Sequence, residues 1–141
     1  MEAFRGNLYN DQAGHCTIGY GHLVHYGNCD GSESQEFRTG ITKEQAKALL
    51  KDDIVEYEEY VKKYVKVMLT QNQFDALVCF VYNVGGSGFK GSTLLKHLNK
   101  KDYEGASNQF PVWNKVRING QIVVSNGLVN RRKAEKDLFD K

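Results

Sequence analysis

Residues 2–22 read EAFRGNLYNDQAGHCTIGYGH, and three of them could do chemistry together. Glu2 is followed by Asp11 nine positions on and by Thr17 six after that. The stretch between is too rich in Gly, Tyr and His to be one continuous helix, so the two acids can face one another across a groove rather than share a helix face. Two such carboxylates suit hydrolysis of a glycosidic bond. One is held protonated to donate to the leaving oxygen, and the other, ionised, activates water or attacks the sugar. The chain has 17 Asp and Glu, and most acids are solvated surface groups, so spacing alone does not single this pair out. The stretch and its continuation also hold His15, Cys16, His22, His25 and Cys29. Thiolate and imidazole are preferred zinc ligands, but Cys-x5-His-x2-His-x3-Cys matches no common finger. A Cys16–Cys29 disulfide is a rival use of the same sulfurs.

The elements that must hold these residues change character near residue 42. From Leu8 to about Gly40, glycines at 14, 19, 21, 27 and 31 are interleaved with Tyr, Thr, Ile and Val, which predicts short strands and turns. Thr42 to Gln45 has the form of a capping box, and Ala46, Leu49, Leu50, Ile54, Tyr57, Val61, Tyr64 and Val65 then follow in steps of three and four. That spacing predicts a long amphipathic helix. A second box, Thr70 to Gln73, opens the run Phe74–Tyr82, apolar nearly all round and so expected to be buried on every side, with Asn83, Gly85 and Gly86 stopping it. Ser92 caps a helix through Leu98, Asp102 another through about Phe110, and a last helix spans about Leu128 to Phe139. Between them, Val116 to Val123 alternates around Asn119-Gly120, a hairpin signal. The organisation expected is α+β and mostly helical: a β lobe over about 1–41, an interlobe helix over 42–65 and a helical lobe over 66–141, with a substrate cleft between the lobes.

At 141 residues, 40% apolar and 26% charged, the chain has the length and composition of one globular domain, able to bury roughly two-thirds of its unfolded surface. The net charge is +2. Its cations are scattered except at Lys62-Lys63, Lys100-Lys101 and Arg131-Arg132-Lys133, so no nucleic-acid partner is expected. The longest apolar run, Ala76–Tyr82, is far short of the roughly 20 residues that span a bilayer, and no signal-peptide pattern is present. Cys79, within that run, reads as a small buried hydrophobe. Gly86 to Thr93 resembles a phosphate loop, but its lysine precedes the final glycine and no strand leads in, so that reading is rejected.

The pattern Glu2-Ala3-Phe4-Arg5, Tyr9-Asn10-Asp11, Gly14 and Thr17-Ile18-Gly19-Tyr20-Gly21-His22 closely resembles the opening motif of the phage-type lysozymes, glycoside hydrolase family 24. Ala3 stands where the family usually has Gly, a change that a helical site tolerates. Thr42 to Ala46 with Asp53, Asn83-Val84-Gly85, and Gly127 to Arg132 are similar to the family's interlobe helix, the turn after its central helix, and its last helix. The resemblance implies an endolysin that cuts the β-1,4 bond between N-acetylmuramic acid and N-acetylglucosamine in peptidoglycan, with inversion, as a monomer and without a cofactor or metal. Glu2 would be the general acid, Asp11 the carboxylate that activates water, and Thr17 the hydroxyl that holds that water. Arg131 would contact the acid glutamate, Asn83 would bond the glycan, and His22 with Asp53 would form a structural ion pair.

The same resemblance implies synthesis in a host cytoplasm, with access to the wall after membrane breach. Members of the family carry a helical turn or more before the acid, whereas only Met1 precedes Glu2 here. On this reading the chain is trimmed, or designed, to the motif boundary, and an α-amino group one residue away favours the ionised carboxylate. The rivals are a wall-binding module of the same fold that does not cut, and a zinc-stabilised β module.

Overall fold

A computed structural model describes residues 3–141. By its internal contacts the chain divides into two units: one runs to Asp53 and takes in Val116–Gln121, and the other comprises Ile54–Lys115 and Ile122–Lys141.

The first unit begins with three short antiparallel strands in the order β1 (Arg5–Asn10), β2 (Cys16–Gly19), β3 (His22–His25). β2 is central and wholly buried, because both of its edges are paired: Tyr9 lies opposite Thr17 on one side and Leu23 opposite Thr17 on the other. Successive strand residues point to opposite faces. Ile18 therefore joins Ile41 and Ala46 in an apolar cluster packed by Phe4, Leu8, Tyr20, Val24, Phe37 and Leu49, while Thr17 looks the other way. Gly19 makes the close packing possible. At φ +72° its backbone is in the region that L side chains avoid, and a Cβ there would come within 3.2 Å of the Ala46 Cβ.

The segment read as strands and turns also contains a helix, α1 (Gln35–Thr39), a single turn whose start Ser34 caps. Five residues show no apolar period, which is why the sequence pattern passed over it. The long helix, α2 (Lys43–Tyr64), starts at the predicted box: the Thr42 hydroxyl accepts from the Gln45 N–H at 3.1 Å and the Gln45 side chain accepts from the Thr42 N–H at 2.8 Å. Its stripe serves both units. Ala46 and Leu49 pack in the first cluster, and Val61 is buried in the second.

The second unit is helical: α3 (Gln71–Val84), α4 (Gly86–Lys90), α5 (Thr93–Asn99), α6 (Tyr103–Ser107) and α7 (Asn126–Asp140), with a 3-10 turn at Phe110–Val112. Its core gathers Ala76, Leu77, Val78, Phe80 and Val81 of α3 with Phe89, Leu94, Leu95, Leu98, Phe110 and Phe139. α3 is less enclosed than its composition predicted. Asp75 is exposed and Phe74, Cys79 and Tyr82 are half-buried, because helix neighbours cover an apolar stripe and leave one side open. Cys79 is thus a partly exposed thiol rather than a sealed core residue, though burial still pushes its pKa up. The phosphate-loop look-alike folds as α4 followed by the Ser92 cap of α5. The helix expected to run from Asp102 to Phe110 breaks after Ser107, and Pro111 lies in the 3-10 turn that follows. β4 (Lys115–Ile118) and β5 (Gln121–Val124) form the predicted hairpin, with Asn119 at φ 51° and Gly120 at φ 78° as a two-residue turn requires. Among the described residues no helix is long and apolar enough to cross a membrane.

Candidate active site

Two of the three residues singled out for chemistry fall among the described residues. Glu2 lies outside them. Asp11 follows the last residue of β1 and opens a tight turn: its N–H donates to the His15 carbonyl at 2.9 Å and the Gly14 N–H donates to its carbonyl at 2.9 Å. The Asp11 side chain closes the same turn, with Oδ1 accepting from the His15 N–H at 2.9 Å. Thr17 sits in β2 and is 3% exposed. Its hydroxyl donates to the His15 carbonyl at 2.9 Å. The fold therefore gathers Asp11 and Thr17 onto one intervening peptide, and it does so with local bonds that the turn itself supplies.

This arrangement narrows what Thr17 can do. A threonine hydroxyl carries one proton and two lone pairs. With its proton committed to the His15 carbonyl, the oxygen can only accept from a further partner. Asp11 Oδ1 is likewise engaged, while Oδ2 accepts no bond among the described residues.

His22 follows the Gly19-Tyr20-Gly21 turn, and its Nδ1 lies 2.8 Å from Asp53 Oδ2 on α2, each side chain about one-quarter exposed. The Phe37 ring lies beside the imidazole, with centroids 6.0 Å apart. The contact fastens β3 to α2 inside the first unit. Asn83 is half-buried in the last turn of α3, which Gly85 ends at φ 95°. Arg131 is half-buried on α7.

Cys16 and Cys29 form a disulfide. That removes the sulfurs from the zinc reading, for although Cys16, His25 and Glu33 bring donor atoms within 4.8 Å of one another, a disulfide sulfur is not a thiolate ligand. The other two donors are engaged with each other. His25 Nε2 lies 2.5 Å from Glu33 Oε2, and its Nδ1 lies 2.9 Å from the Tyr26 carbonyl.

Three buried charged residues, Glu33, Arg132 and Glu135, were not legible in the sequence. Glu33, its side chain 2% exposed, accepts from the N–H groups of Asp30 and Gly31 at 3.0 Å each and from His25. These donors hold its pKa below the ordinary glutamate value. Arg132, the neighbour of Arg131, is 1% exposed, and its Nη2 donates to Glu135 Oε2 at 3.0 Å. Burial pushes Glu135 up to about 7 against the pull of that guanidinium. A run of Arg-Arg-Lys does not say which cation turns inward. Helix phase does, once α7 has a neighbour to pack against.

Comparison with known proteins agrees with the motif. The phage lysozyme family model matches residues 1–135. The endolysin of Acyrthosiphon pisum secondary endosymbiont phage 1 is 42% identical over 139 residues, which cover 99% of this chain and 89% of that protein. The endolysin of Bacillus phage B103 is 46% identical over 87% of this chain, and the match spans only 42% of that longer protein. Among solved structures, the muramidase domain of SpmX from Asticaccaulis excentricus superposes with a TM-score of 0.81 at 34% identity, covering 99% of this chain and 89% of that one.

Proposed function

We infer what this protein does from the premise those matches set: the chain belongs to the phage lysozyme family. It is a glycoside hydrolase, a muramidase that degrades peptidoglycan, cutting between N-acetylmuramic acid and N-acetylglucosamine. The observation that carries the reading to particular residues is the Asp11-His15-Thr17 turn.

In the mechanism we propose, a water donates one hydrogen to Asp11 Oδ2 and the other to Thr17 Oγ1. Thr17 is suited to this because its own proton is spent on His15. Both hydrogens of the water are then held by the protein, and a lone pair is left for the anomeric carbon. As the water attacks, its proton passes to Asp11, the glycosidic bond breaks, and Glu2 gives its proton to the leaving oxygen. Attack from the face opposite the leaving group inverts the anomeric centre, which requires the two carboxyls to stand roughly 6.5–9.5 Å apart. Arg131 supports the Glu2 carboxylate and Asn83 binds the glycan; both roles rest on the family motif. His22 and Asp53 brace the sheet against α2 and take no part in proton transfer. The protein acts as a monomer, and no step calls for a cofactor.

Product analysis of digested peptidoglycan by mass spectrometry tests this reading. New reducing N-acetylmuramic acid ends are expected, and they should vanish for Glu2→Gln while the variant still sediments with the wall. Anhydro ends would instead mean a lytic transglycosylase. The wall-binding alternative predicts binding by both proteins and cleavage by neither.

A further inference from the structure

Asp11 and Thr17 are joined through one residue. The His15 N–H donates to Asp11 Oδ1 and the His15 carbonyl accepts the Thr17 hydroxyl, each at 2.9 Å, so wherever this peptide moves, both groups move with it. Those are backbone groups that any residue would offer. The His15 side chain adds a third tie: its Nδ1 accepts the Gly27 N–H at 3.0 Å, and the ring stands edge-on to Tyr26 with centroids 5.0 Å apart.

Gly27 belongs to an arm that is itself held firmly. Its carbonyl accepts the Cys16 N–H at 2.8 Å. Two residues on, the Cys29 N–H donates to Asn10 Oδ1 at 2.8 Å, and Cys29 is bonded to Cys16. Beyond it, the buried Glu33 carboxylate gathers the N–H groups of Asp30 and Gly31. The arm thus grips Asn10, His15 and Cys16, the residues that flank Asp11 and Thr17.

We propose that His15 is a positioning residue for the hydrolysis: by accepting the Gly27 N–H at Nδ1, its imidazole anchors the turn so that Asp11 and Thr17 keep the geometry that holds the attacking water. The inference rests on the assignment of Asp11 and Thr17 as the water-holding pair. With Nδ1 an acceptor, the proton of the neutral ring is on Nε2. The Gly27 bond is exposed, so its loss leaves an N–H that water can satisfy and should cost the fold little. Catalysis is less forgiving, since a misplacement of about 1 Å in a reacting group can cost on the order of 100-fold. The effect should therefore fall on kcat.

The test compares His15→Phe, which keeps a ring against Tyr26 but has no acceptor, with His15→Asn, whose Oδ1 can take the place of Nδ1. On soluble peptidoglycan oligosaccharides, kcat should fall about tenfold or more for His15→Phe, with KM within about twofold. Its Tm should stay near that of the parent protein, and His15→Asn should recover most of the rate. Asp11→Asn is assayed alongside. If it remains active, the assignment of the pair fails; if it is inactive while His15→Phe keeps full kcat, or if His15→Asn is as slow as His15→Phe, the positioning role of His15 is overturned on its own. A measurement on the unaltered protein is independent of how any variant folds: nitrogen–proton correlation NMR should find the Nε2–H tautomer at His15, and an Nδ1–H tautomer would overturn the proposal.

Discussion

His25 has an acceptor at each ring nitrogen, the Tyr26 carbonyl at one and the Glu33 carboxylate at the other, and this raises its pKa above the usual histidine value. Glu33 moves the other way, and Asp30 beside them is held at about 2, chiefly by the Ser32 hydroxyl and N–H. The signs define a window. A carboxylate with a lowered pKa stabilises the fold above its ordinary range and loses that contribution as pH falls. An imidazole with a raised pKa stabilises below its ordinary value and loses the contribution as pH rises through the raised one. His25→Gln keeps a neutral hydrogen bond to Glu33 but no charge. The Tm gap between it and the parent protein should be widest at about pH 5 to 6 and should close as pH climbs past the usual imidazole range. A gap that widens with pH would contradict the assignment. None of this was legible at Glu33, which in sequence is one acid in a Ser- and Gly-rich loop; His25 drew attention only as a possible zinc ligand.

At the level of elements, α7 is fastened by a charge pair in an apolar interior. Arg132 lies over the Phe80 ring of α3, 5.2 Å from its centroid, and its Nη1 donates to the Trp113 carbonyl at 3.4 Å. Glu135, one turn on, is 5% exposed. Removing one member of such a pair strands the other, while replacing both with apolar groups need not cost anything. Arg132→Met should destabilise the protein by about 3–5 kcal/mol, and adding Glu135→Leu should restore most of that loss, as read by chemical denaturation. Equal losses for the single and double variants would show that the packing of the arginine stem, not the charge, is what matters. Helix and hairpin boundaries set by the two capping boxes, the Ser92 and Asp102 caps and Asn-Gly were legible because those signals are local, whereas Ser125, which caps α7, was passed over. The one-turn helix α1 and the break between α6 and the 3-10 turn were not legible either, because five residues are too few to show a period.

Among the described residues there are two apolar clusters, the smaller around Ile18, Ile41 and Ala46 and the larger around α3. The small cluster is supplemented by a covalent tie that closes a loop of sequence separation 13. Loops of that length gain on the order of 3 kcal/mol from closure. Reducing the protein, or replacing Cys29 with Ser, should lower its stability by about that amount. Hydrogen exchange should locate the loss: amides of β1, β2 and β3 exchange faster on reduction, and those in the middle of α3 change little. Uniform acceleration would mean that the two units open together.

The sequence by itself determined the class of fold, the long helix with its caps, the hairpin turn and the family, because each is written in residues close together along the chain: a period, a box, a spaced motif. It also holds Glu2, Asp11 and Thr17 at the motif spacing on which the proposed mechanism rests. Tertiary structure alone decided that Cys16 and Cys29 pair with each other rather than serve a metal, which of two adjacent arginines is buried, that Glu33 is the hub of its loop, and that the Thr17 proton is already spent on His15. Those outcomes depend on where a side chain points once distant segments have packed around it. Burial and donor partners are properties of that packing, and no local pattern contains them.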